Sequence, residues 1–214
     1  MQNNKTDLFS VSFWNELRQK VCNRNSSFQE RIIAGTHEKI NYGEEDTSVF
    51  LWINQEPGSF PLHWHSTVEI VMPLINGYTV TINKTVYRLN EHDILIIPPG
   101  ELHELTPPSS GYRLVLLFDL SSLNKFKGFT RLFSFFSLSG LITPDTMPAI
   151  HEKERDLLIQ IAKEYADYLN NNKIINDDDV DLETLSTRIV SWFHGRSTVR
   201  REFVDYLRVK HHIN

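Results

Sequence analysis

The 214-residue chain has a single cysteine, Cys22. One cysteine cannot form an internal disulfide, and it cannot build a cysteine-based metal cluster within one chain. Any metal site must therefore use His, Asp or Glu. Cys22 lies on a predicted helix, and we interpret it as a small packing residue rather than a nucleophile.

Long apolar runs are also absent. No stretch approaches the roughly 20 apolar residues that cross a bilayer, and the first ten residues are polar. We therefore expect no signal peptide, no membrane association and a cytoplasmic location. The hydrophobic fraction of 40% and the charged fraction of 23% are ordinary for a folded globular protein with one main core.

An excess of positive charge is missing as well. The formal net charge is −5, so the chain as a whole does not attract nucleic acid or an anionic membrane. Basic residues concentrate between Arg196 and His212, without the pattern of a DNA-recognition helix. We interpret this segment as a solvated tail.

Between about Thr47 and Asp119 the sequence consists of short runs rich in Val, Ile, Thr, Tyr and Phe, separated by Pro, Gly and Asn. Asn76 and Gly77 predict a type I′ hairpin turn, because both residues tolerate positive φ. Short strands at this spacing indicate a sandwich or a closed barrel. The predicted strands are Ser48–Asn54, His63–Leu74, Tyr78–Asn83, Thr85–Leu89, Asp93–Ile97 and Tyr112–Phe118.

Helical periodicity flanks this region. Phe13, Leu17 and Val21 predict a short packing helix near the N-terminus. After Pro148, one helix is predicted with an apolar face of Leu157, Leu158, Ile161, Tyr165 and Leu169 and a polar face of Glu154, Lys163, Glu164 and Asp167. A second helix is predicted from Leu182, Leu185, Ile189 and Phe193, ending near Gly195. The segment 126–141 fits a helix or a loop.

These patterns divide the chain into five parts. An N-terminal arm with a short helix occupies residues 1–46, and a β-barrel occupies residues 47–120. A connecting segment at 121–150, a helical region at 151–195 and a basic tail at 196–214 follow.

Three histidines and one glutamate form the candidate site. Alternation along the predicted strand places His63, His65 and Glu69 on one face. His103 follows the rigid turn residues Pro98-Pro99-Gly100, which can bring it back toward them. This nitrogen and oxygen donor set suits zinc, iron, manganese or nickel, and it equally suits direct hydrogen bonds to a ligand.

Aromatic residues are the other candidates for the binding site. Trp52, Trp64 and Tyr78 are predicted to contact a ligand, because aromatic faces stack on sugars and other flat molecules. Phe60 and Tyr87 are further candidates, and core packing is the alternative role for each of these residues. His92 lies at a turn beside Asp93, and we expect it to be exposed.

Two segments resemble the sequence motifs of the cupin superfamily. Gly58, His63-Trp64-His65, Glu69 and Gly77 resemble the first motif, and Asp93-Ile-Leu-Ile-Ile-Pro98-Pro99-Gly100-Glu-Leu-His103 resembles the second. The resemblance covers about residues 47–120 and implies a mainly β double-stranded β-helix, or jelly-roll, barrel. Two positions depart from it: His92 replaces the usual Gly, and Pro107 replaces the Asn of some members.

A cupin barrel followed by a pair of helices resembles the sensor half of AraC-type bacterial transcription regulators. The resemblance implies a non-enzymatic domain that binds a small-molecule effector, a sugar or another metabolite, and forms a homodimer through helices at about 151–170 and 182–193. DNA binding in that family needs a helix-turn-helix domain, which these residues do not contain. A truncated regulator and a stand-alone sensor both stay open.

Two other functions fit the same residues. The first is a metal-dependent cupin enzyme, a dioxygenase or an isomerase, with His63, His65, Glu69 and His103 around the ion. The second is a carbohydrate-binding module without a signalling role.

Overall fold

The structure is a computed structural model that describes residues 11–25, 32–34, 36–40, 49–54, 59–120 and 139–171. Helix α1 spans Val11–Asn25, and helix α2 spans Pro148–Asn171. The strands between them are β1 (Ile32–Ala34), β2 (His37–Lys39), β3 (Val49–Asn54), β4 (Phe60–His63), β5 (Val68–Ile75), β6 (Tyr78–Ile82), β7 (Thr85–Leu89), β8 (Ile94–Ile97), β9 (His103–Thr106), β10 (Tyr112–Phe118) and β11 (Gly140–Ile142).

Two antiparallel sheets make up the body of the domain, which confirms the predicted mainly β architecture. One sheet has five strands in the order β11-β8-β5-β10-β3, and the other has four in the order β4-β9-β6-β7. Their inner faces pack together through Val71 and Leu95 of the first sheet and Val80 and Leu105 of the second. Strands β1 and β2 form a separate hairpin, whose His37 bridges to Trp64 beside the four-stranded sheet.

The larger core lies between the five-stranded sheet and the helices. Trp14 of α1 and Leu158 of α2 are buried there against Leu114 and Met72. Strands β5 and β10 are therefore covered on both faces, which explains why β10 is buried along its whole length. The predicted N-terminal helix and the first helix after Pro148 are confirmed.

The predicted single strand His63–Leu74 is wrong. The chain leaves β4 after His63, bends at Ser66 and Thr67, and enters β5 of the other sheet at Val68. The bend is held by a bond from the Gly100 amide to the His65 carbonyl oxygen, 2.8 Å, rather than by strand pairing. No Gly or Pro lies at this corner, so the run of strand-forming residues did not predict a break between two strands.

The predicted type I′ hairpin at Asn76 and Gly77 is also wrong. Asn76 has a φ of 60°, but Gly77 has no positive φ, and the turn leads from β5 to a strand of the other sheet. Glycine is needed at position 77 for space, because a Cβ there would lie 2.5 Å from the Leu89 carbonyl oxygen. The tight hairpin joins β6 and β7 through Asn83 and Lys84, whose φ values are 47° and 72°.

Several predictions for the helical region change or fall outside the described residues. Glu154, expected on the polar face of α2, is buried. The second helix predicted at 182–193, the basic tail, and the side chains of Val21, Cys22, Tyr165 and Leu169 lie outside the described part. Strand β11 arises within the segment predicted as a connection and pairs with β8. Neither helix in the described ranges is both long and apolar enough to span a bilayer.

Candidate functional site

Four buried side chains converge between the two sheets. One donor atom each from His63, His65, Glu69 and His103 lie within 4.8 Å of one another. Glu69 Oε2 is 2.9 Å from His65 Nε2 and 3.3 Å from His103 Nε2. The structure thus brings together all four residues that the sequence analysis grouped.

The fold brings these four side chains together in a different way from the predicted one. His63 and His103 face each other on the paired strands β4 and β9, and Glu69 lies on β5 of the opposite sheet. His65 lies in the corner that joins the two sheets. The four donors therefore meet because the sheets pack together, and not because they alternate along one strand.

Each histidine ring is fixed by a bond from its Nδ1 to a backbone carbonyl. The partners are Pro61 O for His63 at 2.8 Å, Thr67 O for His65 at 3.1 Å and Glu101 O for His103 at 2.7 Å. A carbonyl oxygen can only accept, so Nδ1 of His63 and Nδ1 of His103 carry a hydrogen, whereas His65 Nδ1 also lies 2.9 Å from the Thr67 hydroxyl, which can donate to it. A bound metal would replace the hydrogens through which the Nε2 atoms of His65 and His103 bond to Glu69, and each Nε2 would then offer its lone pair to the ion.

The side chains of the cluster shift one another's pKa values. Burial acts to raise the pKa of Glu69, but hydrogen bonds from His103 and His65 outweigh it and hold that pKa well below its usual range. Burial likewise acts to lower the pKa of His103, and its bond to Glu69 reverses the effect, so this pKa is raised. His63, which is penalised by burial and by the nearby His103, has its pKa lowered to about 4.

These observations show that the cluster fits a metal ion. It offers three imidazole nitrogens and one carboxylate that stays ionised, all buried, with ring orientations fixed by the backbone. His63, His65, Glu69 and His103 can therefore hold a divalent transition metal.

A further carboxylate, which the sequence analysis did not select, reaches the cluster from the N-terminal hairpin. Glu38 on β2 is buried, and its Oε2 lies 3.2 Å from His63 Nε2. The hairpin is held in place at Trp64, whose backbone bonds to Thr36 and Glu38 and whose ring stacks on His37 at 4.1 Å. Glu38 lies outside both motifs and in no periodic pattern, so the sequence carried no signal for it.

A cavity of about 260 Å³, including its open mouth, adjoins the cluster. It combines charged groups with an apolar wall, as small-molecule sites do. Its lining residues are Glu38, Trp52, Phe60, His63, Glu69, Leu105, Arg113, Val115 and Leu117.

The aromatic predictions divide into two groups. Trp52 and Phe60 line the cavity. Trp64 instead stacks on His37, and Tyr87 packs in the core between the sheets. Tyr78 is buried and is not among the lining residues of the cavity, and the guanidinium carbon of Arg113, which does line it, lies 5.1 Å from the Tyr78 ring centre.

Two other positions differ from expectation. Arg113, which was not selected, is 3% exposed and lies on the inner side of β10. A lone arginine within the apolar run Tyr112–Phe118 was the signal that could have identified it. His92, expected to be exposed, is half-buried, and its φ of 68° is the left-handed conformation that the usual glycine adopts easily.

Comparison with known protein families agrees with this geometry. Residues 52–131 match the family model of the AraC-like ligand binding domain. Over these residues, the chain is similar to an AraC-like ligand-binding domain. This match confirms the resemblance found in the sequence, and it covers most of the two packed sheets. No curated protein sequence matches the chain.

Solved structures similar to part of this chain include a protein titled a cupin and an oxalate decarboxylase. A cupin protein from Bacteroides fragilis is 24% identical, with 38% of this chain and 74% of that chain covered and a TM-score of 0.33. Oxalate decarboxylase from Bacillus subtilis at pH 4.6 is 25% identical, with 34% of this chain and 21% of that chain covered and a TM-score of 0.30. The match therefore spans only about a fifth of the oxalate decarboxylase chain.

Proposed function

We propose that this domain senses a small-molecule effector in the cavity beside the histidine cluster, as the regulatory part of an AraC-type transcription regulator in the cytoplasm. The family match of residues 52–131 supports ligand binding. The cavity offers both polar and apolar contacts to a small molecule, since charged or titratable side chains and apolar side chains line it together.

The observation that carries the proposal is that one cavity contacts three separate parts of the fold. Glu38 belongs to the N-terminal hairpin, Glu69 to the five-stranded sheet and His63 to the four-stranded sheet, and all three line it. A bound molecule would thus contact all three elements at once. If its contacts differ between two arrangements of these elements, binding is coupled to a change elsewhere.

Homodimerisation through the helical region at 151–195 remains part of the proposal. Leu158 and Ile161, which lie on the apolar face predicted for the first of these helices, are buried within the chain beside Trp14. They are therefore core residues, and the dimer contact is proposed for other parts of that region.

A metal-dependent enzyme is the second candidate, and the donor set around Glu69 favours it. Three buried histidines and one ionised carboxylate would hold zinc, iron, manganese or nickel. A bound ion would supply Lewis-acid or redox chemistry beside the cavity. In such an enzyme, Glu38 and Arg113 would orient the substrate.

One experiment separates the two functions. The untagged full chain is screened against a library of sugars, organic acids and amino acids by thermal shift, with and without each of the four metals, and each compound that binds is analysed afterwards by mass spectrometry. A sensor returns the compound unchanged, whereas an enzyme converts it. Absence of any stabilising compound would contradict both functions.

The matched variants are His65→Ala and His151→Ala, since both residues are buried histidines. His151 lies on α2, where its Nε2 bonds to the His92 carbonyl oxygen at 2.8 Å, away from the cavity. Binding that is lost in the first variant and kept in the second locates the effector at the cluster. Equal loss in both would mean that the effect reflects stability only.

A further inference from the structure

His65 differs from the other two histidines of the cluster in the groups around its Nδ1. The Nδ1 atoms of His63 and His103 each contact one backbone carbonyl oxygen, at 2.8 Å and 2.7 Å. His65 Nδ1 contacts two oxygens of one residue, the Thr67 hydroxyl at 2.9 Å and the Thr67 carbonyl at 3.1 Å. Among these three rings, His65 is therefore the one whose Nδ1 lies beside a possible hydrogen donor.

The two oxygens of Thr67 fit two different placements of a ring hydrogen. A carbonyl oxygen only accepts a hydrogen bond, whereas a hydroxyl both donates and accepts. If Nδ1 of His65 carries the hydrogen, the Thr67 carbonyl can accept it. If Nδ1 carries the lone pair, the Thr67 hydroxyl can donate to it. Both residues are only 1% exposed, so these hydrogen bonds must be made within the protein.

The opposite edge of the ring decides which placement the metal-free chain favours. His65 Nε2 lies 2.9 Å from Glu69 Oε2. Burial acts to raise the pKa of Glu69, but hydrogen bonds from His103 and His65 hold it well below its usual range, so this carboxylate is ionised. An ionised carboxylate only accepts, so Nε2 carries a hydrogen. A neutral His65 ring then has its lone pair on Nδ1, where the Thr67 hydroxyl donates.

Metal binding needs the other placement. A ligand nitrogen must offer its lone pair, and Nε2 is the nitrogen of His65 that faces Glu69 and the other donors. The hydrogen must therefore leave Nε2. Placed on Nδ1, it can bond to the Thr67 carbonyl at 3.1 Å, so the ring stays neutral and keeps its orientation.

We infer that Thr67 is a positioning residue that lets His65 carry its ring hydrogen on Nε2 without a metal and on Nδ1 when a metal is bound. This inference rests on the metal binding of the second candidate function and adds how one ligand atom becomes available. The number of hydrogens on His65 does not change. His63 and His103, whose Nδ1 atoms each contact a carbonyl oxygen, keep a hydrogen on Nδ1 in both forms.

Nitrogen NMR of the histidine rings tests the inference, because a ring nitrogen without hydrogen resonates far downfield of one that carries it. The untagged full chain with isotopically labelled histidine is measured at neutral pH, first without metal and then with zinc, which is diamagnetic. The signals of His65 are assigned by their loss in His65→Ala. We expect His65 Nδ1 to move upfield into the hydrogen-bearing range on addition of zinc, and Nε2 to move downfield. The Nδ1 signals of His63 and His103 should stay in the hydrogen-bearing range.

Variants then assign the effect to the Thr67 hydroxyl. Thr67→Val has nearly the same shape without the hydroxyl, so we expect a hydrogen on His65 Nδ1 already in the metal-free chain. Thr67→Ser keeps the donor and should restore the original signal, although it lacks the methyl group that a purely structural role would need. Thr81→Val is the control, since Thr81 is a half-buried threonine on β6, outside the cluster. If Thr67→Val does not fold by circular dichroism, Thr67→Ala takes its place.

Each contrary outcome has a definite meaning. A hydrogen on His65 Nδ1 of the original metal-free chain overturns the inference, and so does an unchanged Nδ1 signal in Thr67→Val. If elemental analysis shows bound zinc but the hydrogen of His65 stays on Nε2, the inference is wrong and metal binding stands. If zinc does not bind to the folded chain, both the inference and the metal-dependent function are wrong.

Discussion

Glu38 Oε2 lies 3.2 Å from His63 Nε2, and both side chains are buried. This contact joins a hairpin that precedes the barrel to a residue of the clustered site. It means that the site is assembled from parts of the chain on both sides of the first barrel strand, and that the N-terminal hairpin is one of its walls.

Replacement of Glu38 tests this contact. Glu38→Ala removes a partner of a buried imidazole nitrogen, so we expect the free energy of unfolding to fall by about 1–3 kcal/mol. Glu38→Gln should lose nothing, because its amide N–H can donate to the neutral Nε2 of His63, which an ionised carboxylate cannot do. Urea unfolding of the three proteins measures the difference, and equal stability of all three would show that the contact contributes nothing.

Metal uptake is predicted to depend on the four clustered donors. His65→Ala and His103→Ala each remove a direct ligand, so the affinity for manganese, iron, zinc or nickel should fall by more than the roughly 10–100-fold seen for outer contacts. His151→Ala, a buried histidine elsewhere, should leave it unchanged. Titration calorimetry with each metal and elemental analysis give the answer. Undiminished uptake in His103→Ala would place the metal outside the cluster.

Leu158 is predicted to act on folding within one chain. It is 3% exposed and packs in the core that contains Trp14. Leu158→Ala should therefore cost about 2–5 kcal/mol of stability, and the loss should not depend on protein concentration. Leu62, which is 43% exposed, provides the control, and Leu62→Ala should change stability by at most about 0.5 kcal/mol. A concentration-dependent loss would instead place Leu158 at a dimer contact.

Asp93 is predicted to make stability depend on pH. Burial raises the pKa of Asp93 above its ordinary 3.8, and the bond from the Asn90 amide only partly opposes this. The folded chain then holds this proton more tightly than the unfolded chain, so stability falls as the pH rises from 3.8 through the raised value. Asp93→Asn keeps an acceptor for Asn90 and cannot ionise.

The measurement is the difference in unfolding free energy between the original chain and Asp93→Asn across acid to neutral pH. We expect the variant to gain relative stability as the pH rises. A difference that is constant with pH, or one that shifts in favour of the original chain as the pH rises, would contradict the prediction.

Gly77 is predicted to be intolerant of any side chain. Its added Cβ would lie 2.5 Å from the Leu89 carbonyl oxygen, which is backbone and cannot rotate away. Gly77→Ala should cost about 1–3 kcal/mol, as overpacking does. Gly100→Ala, where the added Cβ meets open space but φ is +78°, should cost about 1–2 kcal/mol from backbone strain alone. Thermal unfolding compares the two, and a neutral Gly77→Ala would disprove the close approach.

Local patterns predicted most of the strands, because each strand needs only its own run of β-branched and aromatic residues. Thr85–Leu89 and Tyr112–Phe118 have the predicted bounds. The corner at Ser66 was missed, since no glycine or proline marks it and its hydrogen bond comes from Gly100, far along the chain. The local sequence therefore did not predict that the residues of the first motif are divided between the two sheets.

The four clustered residues of the site could be predicted from the sequence. His63, His65 and Glu69 were grouped by the alternation of a predicted strand, His103 was added because of the turn residues before it, and the resemblance to the cupin motifs includes the same four residues. Glu38 and Arg113 were not, because each enters the cavity through tertiary packing: Glu38 through a hairpin held at Trp64, and Arg113 through the inward side of a doubly covered strand. Of these two residues, only Arg113 could have been recognised in the sequence, because it is a charged residue within an apolar run.

The distribution of the donors over both sheets has a mechanical consequence. His63 and His103 belong to one sheet and Glu69 to the other, so an ion or molecule that binds all three links the two sheets noncovalently. Separation of the sheets then requires that this ligand dissociate from at least one of them. At a concentration 100 times its dissociation constant, such a ligand adds about 2.7 kcal/mol to the stability of the folded chain. Binding of such a ligand would therefore increase the resistance of the whole domain to heat and to proteases, and both can be measured.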